Sequence, residues 1–224
     1  MVEWRMFVLR LMIVLVALAS LAPLARAQDP APAGRFDYYL LALSWSPAYC
    51  RAHRNDPRAR DECGRRRGFV VHGLWPQNED GTWPAFCRPV PPVPPPLAAR
   101  EAETMPNAEL VRHEWEKHGS CTGLSVETYF AALDRVFARL VIPPALVHPK
   151  AAVTLSLAEG KSLFAAANPG LTESMFSMRC THNGEVDELR LCLDKSLRYR
   201  ICGRDSADSC PSMMHFDAIP GAGD

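Results

Sequence analysis

The chain has 224 residues, carries 25 basic and 25 acidic side chains, and is 48% hydrophobic. This length suits one domain with its own core, and the balanced charge argues against a protein that binds nucleic acid through overall basic charge alone. Any nucleic-acid contact must therefore be local. All eight cysteines follow residue 49 and none forms a Cys-x-x-Cys pair, which favours structural disulfides over a thiol enzyme or a zinc site.

The first 27 residues have the pattern of a secretory signal peptide. Arg5 and Arg10 flank an apolar run that extends to Leu24, and a small-x-small cleavage site follows at residues 25–27. The run is shorter than the roughly 20 residues that a membrane-spanning helix requires, so a membrane anchor is the less favoured alternative. We expect a single mature domain of residues 28–224 that is periplasmic or secreted, free of the membrane and, by default, monomeric.

The beginning of the mature chain predicts a buried strand followed by a loop. Residues 36–45 are rich in aromatic side chains and leucine and are bounded by Pro47, which is typical of a buried strand. Residues 51–67 have the composition of a solvated loop. Its arginines at 65–67 could instead steer RNA, but a solvated loop is the favoured interpretation.

A second apolar strand is predicted from Gly68 to His72, with a break at Gly73 and Pro76. A histidine at a strand end, beside a glycine that permits close approach of the backbone, is well placed to face a cleft. A single histidine of this kind is more often a core residue, and the same holds for a single tryptophan such as Trp75 or Trp83. The proline-rich residues 81–97 predict an extended connection.

The segment from His113 to Cys121 concentrates titratable groups in nine residues. A helix is predicted over 108–118, because Asn107 is a suitable N-cap and Gly119 a suitable stop. A charged helical run is usually a solvated face, but the cysteine directly after this one would fix that end in an oxidised protein. Neighbours four residues apart on this helix are His113 with Lys117 and Glu114 with His118.

The last part of the chain predicts one further helix and then strands. Residues 127–140 place apolar side chains at spacings of three and four, as in an amphipathic helix. Strands are predicted at 174–180 and 186–193, on either side of an Asn-Gly turn at 183–184. A further strand is predicted at 197–202.

Two histidines from separate segments, together with a lysine and a glutamate, indicate general acid and base catalysis near neutral or mildly acidic pH. One imidazole must be neutral to accept a proton and the other charged to donate one, while a cation beside them stabilises a developing dianion. No serine lies in a Gly-x-Ser-x-Gly motif, which argues against a serine hydrolase. His113 and His118 lie about 140° apart around a helix, so they do not form a zinc motif. We therefore expect neither a metal nor a cofactor.

Residues 72–76, His-Gly-Leu-Trp-Pro, and 113–121, His-Glu-Trp-Glu-Lys-His-Gly-Ser-Cys, resemble the two active-site segments of the ribonuclease T2 family, the secreted or periplasmic acid ribonucleases, in its bacterial type. The resemblance extends to residues 41–50 and 190–194 and so covers most of the mature chain. It implies an α+β fold with a central antiparallel sheet flanked by helices and held by disulfides. It also implies metal-free endonucleolytic cleavage of single-stranded RNA, with little base specificity and no cleavage of DNA.

The resemblance also implies a role for each site residue. His118 would be the general base for the ribose 2′-hydroxyl and His72 the acid for the departing 5′-oxygen, giving a 2′,3′-cyclic phosphate that members of the family can hydrolyse further. Glu114 and Lys117 would lie beside the phosphate. The substrate-binding residues would be His113, Trp75, Trp83 and Gln77, the last at a position where some relatives carry an acidic or amide base contact.

The family pattern implies four disulfides, namely Cys50 with Cys63, Cys87 with Cys121, Cys180 with Cys210, and Cys192 with Cys202. Two alternatives to the ribonuclease remain open. A catalytically silent relative would bind RNA or a protein partner without cutting, and the presence of both histidines argues against it. A metal-dependent phosphoesterase would need ligand spacings that the sequence lacks.

Overall fold

The computed structural model describes residues 32–204 and 206–219, so the expected signal peptide lies outside the described residues. The fold is α+β, as the resemblance implies. The strands are β1 (Tyr38–Trp45), β2 (Phe69–Gln77), β3 (Val153–Ser156), β4 (Phe176–Cys180), β5 (Val186–Leu193) and β6 (Met213–Phe216). The helices are α1 (Ser46–Ala52), α2 (Arg60–Cys63), α3 (Pro95–Glu101), α4 (Ala108–Lys117), α5 (Val126–Phe137) and α6 (Leu157–Ala167).

A four-stranded sheet with the order β2-β1-β5-β4 forms the centre of the described structure, and all of its pairs are antiparallel. The continuous apolar sequence of β1 suits this position, because a strand covered on both faces needs apolar side chains on both. Seven of its eight residues are buried. A separate two-stranded sheet pairs β3 with β6.

The helices α4 and α5 contribute buried side chains to the same hydrophobic core as the central sheet. Trp115 of α4 packs against Tyr129 of α5 with ring centroids 5.7 Å apart. The buried Tyr129 hydroxyl donates to the carbonyl oxygen of Leu74 in β2 at 3.0 Å. This bond links α5 to the strand that carries the first motif.

The predicted break of the second strand at Gly73 and Pro76 is wrong. The strand continues to Gln77, and the register with β1 shifts where Ala42 faces Gly73 and Leu43 faces Val71. His72 is therefore the extra residue of a β-bulge. A bulge re-aims a side chain without ending the strand, which reconciles the Gly-containing sequence with unbroken pairing.

Other differences lie outside the catalytic motifs. The predicted strand at 197–202 is absent, since only an isolated bridge joins Leu193 to Tyr199 and Leu197 has a φ of 63°. The predicted loop at 51–67 contains the end of α1, a 3₁₀ turn and α2. Among the described residues, no helix has the length and apolar character needed to cross a membrane.

Candidate active site

The bulge in β2 places His72 at the junction of two elements, β5 and α4. Its Nδ1 lies 3.3 Å from Oε2 of Glu188 and 3.4 Å from Oγ of Ser44. Its Nε2 lies 3.8 Å from Oε1 of Glu114. The ring therefore has a carboxylate near each nitrogen, and its side chain is still 37% exposed.

Helix α4 delivers the second group of polar side chains, and both of its ends are anchored. The Asn107 side chain accepts a hydrogen bond from the Leu110 amide at 2.9 Å, as an N-cap does. At the other end, the Phe86 amide donates to the carbonyl oxygen of Lys117 at 2.8 Å, and the Cys87–Cys121 disulfide closes the connection. The loop that follows β2 is thus tied to the last turn of the helix.

Glu114 connects the two motifs directly. The indole Nε1 of Trp75 donates to Oε2 of Glu114 at 2.6 Å, and this carboxylate is buried. A Cβ atom added at Gly73 would lie 2.0 Å from the same oxygen. A glycine is therefore required at residue 73 for the carboxylate to reach the tryptophan.

His118 follows the last helical turn and stacks on the same tryptophan. Its ring lies 5.2 Å from that of Trp75 at an interplanar angle of 28°, and only 4% of its side chain is exposed. Its Nε2 lies 4.0 Å from Oε2 of Glu114, one helical turn earlier. The ring of His72 meets the same tryptophan edge-on at 5.1 Å, so Trp75 contacts both histidines.

The surroundings shift the pKa values of His72 and His118 in opposite directions. Burial, together with the positive charges of Lys117 and the other histidines, lowers the pKa of His118 to about 3. Burial also lowers the pKa of His72, but the hydrogen bond to Glu188 and the negative charges of Glu114 and Glu188 outweigh it and raise the pKa overall. In mildly acidic solution His118 is neutral and His72 is charged.

The two carboxylates beside His72 also differ. Burial raises the pKa of Glu114, although His72, the Trp75 hydrogen bond and Lys117 act in the other direction. Burial likewise raises the pKa of Glu188, but hydrogen bonding to His72 and the charge of Arg190 outweigh it and lower the pKa overall. Glu188 is therefore the more firmly ionised partner of the histidine.

The predicted catalytic and substrate-binding side chains line one cavity of about 290 Å³. Trp83 is 58% exposed at its rim, whereas Gln77 is buried. Two residues of this cavity, His72 and Arg190, also line a larger neighbouring cleft of about 820 Å³. The eight residues brought together are His72, Trp75, Gln77, Trp83, His113, Glu114, Lys117 and His118.

The sequence analysis missed Glu188 and Arg190 as site residues. They alternate along β5 with Leu189 and Leu191, so both project from the face opposite these buried leucines. Two charged residues, Glu188 and Arg190, that alternate with buried leucines are a signal, but they do not reveal which motif the strand faces. Only the pairing of β5 with β1 places them beside His72.

The structure joins the same four cysteine pairs that the family pattern implies. Within the residues that the structure describes, no three His, Cys, Asp or Glu side chains are grouped in a way that could hold a metal ion.

Comparison with known proteins identifies the same family that the two sequence motifs resemble. The model of the ribonuclease T2 family matches residues 36–202. A protein from Aeromonas hydrophila named ribonuclease is 33% identical over 202 residues, which cover 88% of this chain and 86% of that protein.

Solved structures share the fold at lower identity. Trichomaglin, an S-like ribonuclease, superposes with a TM-score of 0.67 at 24% identity, covering 83% of this chain and all of its own. A variant of RNase MC1 in complex with 5′-UMP superposes with a TM-score of 0.64 at 21% identity, covering 80% of this chain and 97% of its own.

Proposed function

Because the chain belongs to the ribonuclease T2 family and is therefore an endoribonuclease, we propose that it cleaves single-stranded RNA by metal-free transphosphorylation to 2′,3′-cyclic phosphates. The observation that carries this proposal is that two histidines line one cavity, one with a carboxylate near each ring nitrogen and the other buried near Lys117. These surroundings shift their pKa values in opposite directions. A neutral imidazole and a charged one are the two groups that the reaction needs at the same time.

In the proposed reaction, His118 accepts the proton of the ribose 2′-hydroxyl as the 2′-oxygen bonds to phosphorus. The bond from phosphorus to the 5′-oxygen breaks, and His72 gives its proton to that oxygen. One proton has then moved to His118 and one has left His72, so the protonation states are exchanged. Water can complete the cycle by attacking the cyclic phosphate with the two roles reversed, which yields a 3′-phosphate.

The charged neighbours have supporting roles in this proposal. The Lys117 ammonium lines the cavity and would stabilise the negative charge that develops on the phosphoryl oxygens. His113 lines the same cavity and would contact the phosphate. Glu114 lies 3.8 Å from Nε2 of His72, where its negative charge favours the protonated acid.

The substrate class follows from the nucleophile and from the exposed aromatic surface. DNA lacks the 2′-hydroxyl and so cannot supply the internal nucleophile. Trp83 presents the more exposed aromatic face, because His118 stacks on Trp75 and the Arg190 guanidinium lies 5.6 Å from the same ring. Stacking tolerates any unpaired base, so little base specificity is expected, with Gln77 available for a polar base contact.

The test compares RNA with DNA of the same sequence, at about pH 5 to 6 and with a chelator present, using the oxidised mature protein and His118→Ala. We expect RNA to be cut to cyclic-phosphate ends, DNA to remain intact, and the variant to lose about 100- to 10,000-fold in kcat. RNA that is bound but not cut would indicate the catalytically silent relative. Loss of cutting in chelator alone would indicate a metal-dependent enzyme.

We also propose that the mature protein is periplasmic or secreted. The support is the signal-peptide pattern of residues 1–27 and the four disulfides, which form in oxidising compartments. Cell fractionation with N-terminal sequencing would check both the compartment and the expected start of the mature chain at residue 28.

A further inference from the structure

On the basis of the proposed function, we propose that Glu188 is the positioning residue of the general acid. Its carboxylate holds the Nδ1–H of the His72 imidazolium, so that the proton on Nε2 is directed at the departing 5′-oxygen. Arg190 holds Glu188 in place for this task.

The geometry assigns the two ring nitrogens of His72 to different partners. Oε2 of Glu188 lies 3.3 Å from Nδ1, whereas Nε2 lies 3.8 Å from Glu114, which also lines the cavity that would take the phosphate. Because the two ring nitrogens point in different directions, an acceptor fixed at Nδ1 sets the direction of the Nε2–H bond. Ser44 is the only other described side chain within hydrogen-bond distance of Nδ1, at 3.4 Å.

Glu188 is itself held rigidly. Nε of Arg190 forms an ion pair with Oε1, which leaves Oε2 for the histidine. The Arg190 guanidinium lies 5.6 Å from the ring of Trp75, which also donates to Glu114. Glu188 is 9% exposed, and a buried carboxylate with both oxygens engaged has little freedom to rotate.

Charges from three elements act on His72. The carboxylates of Glu188 on β5 and Glu114 on α4 favour its charged form, and the positive charge of Lys117 on α4 opposes it. Glu62 of α2 also interacts electrostatically with His72. His113 and His118 complete the titratable groups that face the ring from α4.

Glu114 and Glu188 are the two carboxylates that raise the pKa of His72. Replacing Glu188 with glutamine removes one of them, so this pKa should fall. The acid would then lose its proton at a lower pH. The basic limb of the pH profile of kcat/KM should shift toward lower pH. A carboxylate that merely paired with Arg190 would produce no such shift.

The test compares two substrates that differ only in the leaving group. One is a dinucleotide, whose departing 5′-alkoxide needs a proton, and the other is the same nucleoside 3′-phosphate esterified with 4-nitrophenol, whose departing phenolate does not. For Glu188→Gln we expect about a 10- to 100-fold lower kcat on the dinucleotide, and little change on the nitrophenyl ester. His72→Ala should show the same selectivity with a larger loss.

The matched control is Glu127→Gln, which makes the same change at an exposed position of α5. Glu127 lines neither of the two cavities that contain His72, so we expect little change with either substrate. Glu188→Asp keeps the charge on a shorter side chain and should recover part of the dinucleotide activity. It also replaces Glu188→Gln in the comparison if the amide variant does not fold.

Equal losses on both substrates, with an unshifted pH profile, would mean that Glu188 is only structural and would overturn the inference. If the wild-type protein cut neither substrate, the proposed function itself would fail and the inference with it. A selective loss on the dinucleotide with a shifted basic limb would establish the positioning role.

Discussion

At the residue scale, burial alone explains the direction of the pKa shift for only one of the two histidines, His118. His118 is buried away from solvent, and the positive charges of Lys117 and the other histidines act on it. Both effects disfavour its charged form. His72 is also penalised by desolvation, but two carboxylates more than compensate. The chemical difference between two identical side chains therefore comes from which charges the bulge of β2 and the helix α4 place beside each ring.

These shifts predict the shape of the pH profile. The ascending limb of kcat/KM reports deprotonation of His118, whose pKa is about 3, and the descending limb reports the raised pKa of His72. Activity should therefore extend far into the acidic range. Because Lys117 lowers the pKa of His118, Lys117→Ala should move the ascending limb to higher pH, besides lowering kcat by about 100- to 1,000-fold.

The control for this prediction is Arg112→Ala, which removes one positive charge from an exposed position on the same helix. It should leave the ascending limb in place, because exposed charges are strongly screened. Identical limbs for wild type and Lys117→Ala, measured on one substrate at constant ionic strength, would contradict the assignment of that limb to His118.

Gly73 provides a second prediction at this scale. In Gly73→Ala, the new methyl group would overlap Oε2 of Glu114 and Nε1 of Trp75, at 2.0 Å and 2.5 Å. The carboxylate must move, and a displacement of about 1 Å within a catalytic site can cost about 100-fold in rate. We expect kcat/KM to fall by about this factor. The urea midpoint of unfolding should change little, because the displaced carboxylate oxygens of Glu114 end a flexible side chain. A loss of folding without a separate loss of activity would disprove this account.

At the element scale, the Cys87–Cys121 disulfide joins the loop that follows β2 to the turn after α4. It spans 34 residues, and the Ser120 hydroxyl accepts a hydrogen bond from the Cys87 amide at 3.1 Å beside it. In the same loop, the Phe86 amide donates a hydrogen bond to the carbonyl oxygen of Lys117. This link therefore affects both stability and the position of the last helical turn, which carries Lys117 and precedes His118.

Replacing both cysteines of this bridge with alanine should lower the free energy of unfolding by about 4 kcal/mol on the loop-entropy model. It should also lower kcat/KM, because the helix end loses its anchor. The control is the pair Cys192 and Cys202, 10 residues apart, whose removal should cost about 3 kcal/mol and leave kcat/KM of the folded protein nearly unchanged. Denaturant titration and kinetics at low temperature separate the two effects, and equal activity losses would contradict the proposed anchoring.

The same elements show what a sequence can predict. The helix at 108–118 follows from local signals, namely the Asn107 cap and the Gly119 stop, and the structure has it at Ala108–Lys117. The continuation of β2 beyond His72 was missed, because a bulge is stabilised by the partner strand and leaves no separate local signal. The role of β5 beside His72 was missed for a related reason, since strand order is a property of the whole sheet. The strand predicted at 197–202 failed because alternation does not ensure that a partner is present.

At the scale of the whole molecule, the buried titratable groups determine how stability depends on pH. Burial raises the pKa of Glu62, Glu101 and Glu114 above the usual 4.5, so the folded protein retains their protons longer than the unfolded chain. Their contribution to stability is largest at low pH and is lost as pH rises above 4.5. The lowered pKa of His118 acts in the opposite sense, because the unfolded chain binds its proton as pH falls below 6.5. Between pH 4.5 and pH 6.5 the two effects therefore oppose each other.

Glu62 allows this account to be tested at a carboxyl group that does not line the candidate active-site cavity. Its carboxylate is 4% exposed, and Oε1 has no hydrogen-bond partner among the described residues. In Glu62→Gln, the free energy of unfolding relative to wild type should increase with pH above 4.5, by at most about 1.4 kcal/mol per pH unit. Urea titrations from pH 4 to pH 8 would measure this difference.

The control for Glu62 is Glu159, whose carboxylate accepts hydrogen bonds from the backbone and side chain of Ser156 at the start of α6. These bonds lower its pKa, so its contribution to stability is present above 4.5 and is lost as pH falls. Glu159→Gln should therefore lose stability relative to wild type as pH rises, the reverse of Glu62→Gln. Two variants with the same sign of pH dependence would show that burial does not raise the pKa of Glu62 in the folded protein.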